Sequence, residues 1–95
     1  MTHYIIYKLK NEEDYAKICD ELTLVLESMK KDIEGVKAYS FVKNAFKGNY
    51  NYDMMIKITM LDEETLKRYK PHELHVKLKE ISLKYIESKV IFDER

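Results

Sequence analysis

With one cysteine among its 95 residues, the chain has no internal disulfide and no multi-cysteine metal site. Cys19 falls at the edge of an apolar helical stripe, which reads as a packed thiol rather than a nucleophile. Glycine is scarce too, and neither of the two glycines belongs to a loop that could cradle phosphate. Charge of one sign is not in excess, since Lys plus Arg number 17 and Asp plus Glu 17. Nothing then draws the backbone of a nucleic acid or an anionic lipid surface. No apolar run approaches the ~18 residues that span a bilayer, and Met1-Thr2-His3 lacks a signal peptide's basic start. The expectation is a cytoplasmic domain with neither nucleic acid nor membrane as a partner.

A chain this long makes a single domain over residues 1–95, because it buries little more than ~60% of its unfolded surface and has no spare core for a second unit. His3 to Lys10 alternates as a strand. Asn11 is a candidate N-cap, Glu12, Glu13 and Asp14 suit a first turn, and Tyr15, Ile18, Leu22, Val25, Leu26, Met29 and Ile33 keep helical spacing up to Gly35. A second strand runs from Val36 to about Lys43, and Lys47-Gly48-Asn49 turns the chain into a third from Tyr52 to Met60. Asp62 caps a short helix through Tyr69, Pro71 restarts it, a helix spans His72 to Glu87, and Lys89 to Asp93 forms the last strand. The order βαββαβ predicts an α+β, ferredoxin-like fold: a four-stranded antiparallel sheet with its helices on one face.

If His3, Ile5, Tyr7, Ile56, Ile58 and Ile91 face the helices, alternation leaves Tyr4, Ile6, Met55, Tyr39, Phe41, Val90 and Phe92 on the bare side. So much contiguous apolar surface predicts a homodimer formed sheet to sheet. The last helix is peculiar in another way. At about 100° per residue, Glu73, Lys77, Glu80, Lys84 and Glu87 share a wet stripe, and His75 and Ser82 lie opposite it. Leu74, Leu78, Ile81 and Tyr85 flank them on one side, and Val76, Leu83 and Ile86 on the other. Buried polar groups need partners or a cavity. A pocket between sheet and helices would be lined by His3, Ile5, Tyr7, Ile56, Ile58, His72, Leu78, Ser82, Ile91 and Asp93, and would suit a small hydrophobic ligand.

Three stretches carry a family likeness: His3-Tyr4-Ile5-Ile6-Tyr7-Lys8-Leu9-Lys10, Tyr69-Lys70-Pro71-His72-Glu73-Leu74-His75-Val76 and Val90-Ile91-Phe92-Asp93. The chain resembles the stress-responsive A/B barrel (Dabb) domain over nearly its whole length, with Ile33-Glu34-Gly35-Val36 and Tyr52-Asp53 also in their family places. It departs from the usual pattern after the first histidine, where Glu73 replaces a proline and Pro71 precedes instead. The resemblance implies a dimeric α+β barrel. Plant polyketide cyclases of this family close a ring by intramolecular aldol chemistry without metal or organic cofactor. Carried across, their acid/base pair falls on Tyr69 and His75, with His3 and Asp93 as supporting polar positions.

Each of these residues also has a plainer reading. His75 could be a core histidine bonded to Ser82 or to backbone, Tyr69 a cover for the core rim, and His3 with Asp93 a cross-strand ion pair that closes the sheet. His72 and His75 diverge by about 60° around a helix, which is poor for holding a metal. Two functions follow. One is a small-molecule site, with or without proton transfer on a hydrophobic carbonyl compound; the other is a non-catalytic structural or stress-related dimer whose barrel is filled by Tyr7, Leu22, Leu26 and Leu78. No feature points to oxygen chemistry.

Overall fold

The computed structural model describes residues 1–95, with β1 Thr2–Leu9, α1 Tyr15–Asp32, β2 Val36–Lys43, β3 Met54–Met60, α2 Glu63–Tyr69, α3 Glu73–Leu83 and β4 Ile86–Glu94. The strands form one antiparallel sheet in the order β2-β3-β1-β4, as the ferredoxin-like reading requires. Ile5, Tyr7 and Leu9 of β1 and Met54, Ile56, Ile58 and Met60 of β3 are buried under the helices. They meet Ile18, Leu22, Val25, Leu26 and Met29 of α1 and Leu78 of α3 in one core. None of the helices is long and apolar enough to cross a membrane.

Strand β2 does not keep the expected phase. Tyr39 pairs with Ile58 and Phe41 with Ile56, so both rings face the helices and not the bare side. The cause is a bulge between Val36 and Ala38, where one extra residue shifts the alternation. Tyr39 instead donates to Glu27 of α1 at 2.6 Å. Ala38, Ser40 and Val42 take the open face, which therefore carries Tyr4, Ile6, Val42, Met55, Val90 and Phe92. At one end of it, Ile6, Val42, Met55 and Val90 floor a hollow of about 640 Å³ walled by the connection from Asn44 to Tyr52. That connection ends at Asp53, which accepts from the Leu9 N–H at 2.7 Å, so β3 begins at Met54 and not at Tyr52.

The helix boundaries also move. A 3₁₀ turn, Glu12–Asp14, precedes α1, and Asn11 makes no side-chain cap. Helix α3 stops at Leu83, the Tyr85 N–H bonds the Ser82 carbonyl, and Ile86 already belongs to β4. Only one apolar flank of α3, Leu74, Leu78 and Ile81, packs on the core; Val76 and Leu83 remain 45% and 65% exposed. Ile91 sits on the helix side of the sheet, opposite Ile5, yet is also exposed because β4 is an edge strand.

Gly35 joins α1 to β2 with φ +96°, a region that L side chains rarely enter. A Cβ there would also collide with the Thr65 hydroxyl on α2. Gly35→Ala should cost about 2–4 kcal/mol through strain and overpacking, read from urea denaturation. A midpoint equal to wild type would show that the corner is pliable.

Candidate functional site

The site is built by α2, α3 and the two central-to-edge strands β1 and β4. Asp62 caps α2, accepting from the Thr65 N–H at 2.9 Å and its hydroxyl at 2.8 Å. Arg68 ties the same helix to the Glu34 carbonyl at 2.8 Å. So fixed, the helix ends on Tyr69, which is fully buried. Pro71 then breaks the path, and His72 caps α3 by accepting from the Leu74 N–H at 3.1 Å. That bond turns Nδ1 of His72 toward its own helix, away from a ligand role at that nitrogen.

Tyr69 lies between two imidazoles. Its ring centroid is 4.3 Å from that of His75, tilted by 35°, and 5.3 Å from that of His3, edge to face. The hydroxyl is buried and has no hydrogen-bond partner within the protein. Burial, followed by the nearby Tyr7 and the charge of Asp93, pushes its pKa well above the ordinary tyrosine value. The phenol therefore keeps its proton and is available as a donor.

His75 is half-buried, not enclosed, and its Nδ1 stands 2.8 Å from the Lys70 carbonyl. A carbonyl only accepts, so Nδ1 carries the proton and Nε2 is left with the lone pair. Loss of solvent lowers its pKa below 6.5; the Lys70 bond opposes this, and the charges of Lys79, Lys89 and His3 add to it. At neutral pH the ring is uncharged, with Nε2 able to take a proton. His3 is buried at the start of β1 and directs Nδ1 to the Asp93 carboxylate at 2.5 Å. The strands pair these two residues directly.

Ser82, buried on α3, does not bond His75; it accepts from the Tyr7 hydroxyl at 2.7 Å. Ile5, Ile56, Ile58 and Leu78 surround these groups as core. Tyr7, expected as pocket lining or as barrel filling, also has a buried hydroxyl to satisfy, and Ser82 is the polar residue that accepts it on the buried face of α3. No group of three His, Cys, Asp or Glu residues could hold a metal ion. None of the five main hollows on the protomer is lined by Tyr69 or His75. The nearest in kind holds about 290 Å³ between α3 and β4 and reaches Tyr7 and Ser82.

Against known families, residues 1–94 match the model of the stress responsive A/B barrel domain, Dabb. The chain belongs to the Dabb family. No curated protein matches it significantly. Among solved structures, a Dabb family protein with a ferredoxin-like fold from Mesorhizobium loti is 18% identical with a TM-score of 0.77, over 99% of this chain and 93% of that one. An Arabidopsis thaliana protein is 23% identical with a TM-score of 0.80, over 99% and 92%. A dimeric ferredoxin-like protein of unknown function from Bacteroides fragilis is 16% identical with a TM-score of 0.76, over 99% and 93%. At these identities the likeness establishes the Dabb chain's fold alone.

Proposed function

We propose that this Dabb protein is a homodimer, joined through the helix-free faces of its sheets, with a small-molecule site in each protomer where Tyr69 and His75 do acid/base chemistry. The reaction is proton transfer at a carbon next to a carbonyl, on a hydrophobic compound, as in the family's polyketide cyclases. The observation that carries it is the Tyr69 hydroxyl, fully buried without a partner on a ring that packs against that of His75. A buried phenol left unbonded costs ~1–3 kcal/mol, and a bound carbonyl oxygen would recover that. With the oxygen held by Tyr69, Nε2 of His75 is the base for the adjacent C–H, and the enolate charge develops onto the oxygen that the phenol faces. His3 with Asp93 positions the other side of the Tyr69 ring.

A second reading has one observation in its favour. The main hollows stop short of Tyr69 and His75, as they would in a non-catalytic dimer with a filled interior. One experiment separates the two. Hydrophobic carbonyl compounds, poly-β-keto ones included, are incubated with the protein in D₂O, and exchange or cyclisation is followed by NMR. Exchange that disappears in His75→Ala supports the enzyme. No binding and no exchange with any compound leaves the structural dimer.

A further inference from the structure

The cavity between α3 and β4 is apart from the Tyr69–His75 pair but opens toward the same polar cluster. Its floor is the Tyr7 and Ser82 hydrogen-bonded pair, and its walls are Val76, Leu83 and Ile86. The exposure of Val76 and Leu83, on the flank of α3 that no core residue covers, gives the cavity an apolar lining in contact with solvent. Lys79 and Lys89 stand at its rim with Glu80, an excess of one positive charge. Neither lysine is engaged in an ion pair, so both charges at this rim are free to meet a ligand. Unpaired cations above an apolar wall complement a molecule with one greasy and one anionic end.

We propose that this cavity selects an organic anion, an apolar chain or ring bearing a free carboxylate, with the carboxylate held between Lys79 and Lys89 and the apolar body laid along Val76, Leu83 and Ile86. The ligand class of this cavity is then the free acid and not its neutral amide or ester. It rests on the reading of each protomer as a ligand binder, not on the chemistry assigned to Tyr69 and His75. Both lysines already depress the proton affinity of His75 by their charge. A carboxylate set between them offsets that charge, so the bound acid makes His75 a better base. At about 290 Å³ the cavity is near the lower limit for small-molecule sites, which suits a chain of roughly eight carbons.

The test uses octanoate and its neutral isostere octanamide, with affinities from isothermal titration and the His75 titration from NMR. Octanoate should bind wild type roughly 5- to 10-fold more tightly than octanamide, and raise the His75 pKa where octanamide leaves it unmoved. The double variant Lys79→Gln/Lys89→Gln should lose that preference, keep its octanamide affinity and unfold at the wild-type temperature, since both side chains are exposed. Equal affinity for the two compounds in wild type, an unchanged preference in the double variant, or no binding of either would overturn the proposal. Octanoate binding without any carbonyl exchange retires the chemistry and keeps this site. Exchange that depends on His75 with no preference for the acid does the reverse.

Discussion

Phe92→Glu should turn the dimer into a monomer at micromolar concentration, by light scattering or sedimentation, while the protomer stays folded. Phe92 lies on the open face of β4, packed edge to face on Tyr4 and 60% exposed in the single protomer. A carboxylate at that position meets water in the monomer and costs little there. In a two-fold interface the same change occurs twice, and each charge enters a dry contact without a partner. The expected penalty is ~3–5 kcal/mol, or a dissociation constant raised by more than a hundredfold. A wild-type monomer at that concentration, or a Phe92→Glu protein that stays dimeric, would place the interface elsewhere.

Tyr69→Phe and His75→Ala should each lower turnover of a responsive carbonyl compound by ~10²- to 10⁴-fold. The two should part company in stability. Tyr69→Phe deletes a buried hydroxyl with no partner, so the folded state should be unchanged or firmer by up to ~1 kcal/mol. Activity and stability moving in opposite directions would mark a group kept for its chemistry. His75 adds a pH signature. Its folded pKa lies below its ordinary 6.5, mainly because it has lost solvent. As a base it works unprotonated, so the rate should already be flat at pH 7 and fall as the pH drops through the depressed value. Stability follows the same direction: the neutral ring's contribution is present above pH 6.5 and is lost on acidification down to the folded pKa. In His75→Leu that acid-side decline should shrink, by urea titrations at pH 5 and pH 7. An identical decline would assign it to other groups.

Much of this architecture is legible in the chain because each element carries its own signal. The alternation of β1, the spacing of α1, the Asp62 cap and the pairing of His3 with Asp93 are all local patterns or follow directly from strand order. Tyr39 and Phe41 were not legible, since a bulge adds one residue without leaving a mark in composition and a period of two then runs backwards past it. The end of α3 was hidden for a different reason. Lys84, Tyr85 and Ile86 continue the helical pattern, and no glycine or proline interrupts them where the chain turns into β4. Hydrophobic phase predicted that Val76 and Leu83 would be covered, but it reports only where apolar residues are, not whether another element is there to cover them. At the site, phase placed Ser82 on the inward side of α3 but not His75, which is only half-buried, and the Tyr7–Ser82 bond and the orphaned Tyr69 hydroxyl depend on distances that no spacing encodes.

Strand β1 lies in the middle of the sheet, and its partner β4 follows all the other strands and helices described, so His3 and Asp93 meet across 90 positions of sequence. During synthesis β1 must wait, with one edge unpaired, until the residues of β4 have been made. Non-local closure of this kind is slow and leaves a sticky edge open in the meantime. No fragment lacking β4 can assemble Tyr69, His75, His3 and Asp93 together, so the site is completed only when β4 pairs with β1 and any chain that carries it has already closed its sheet.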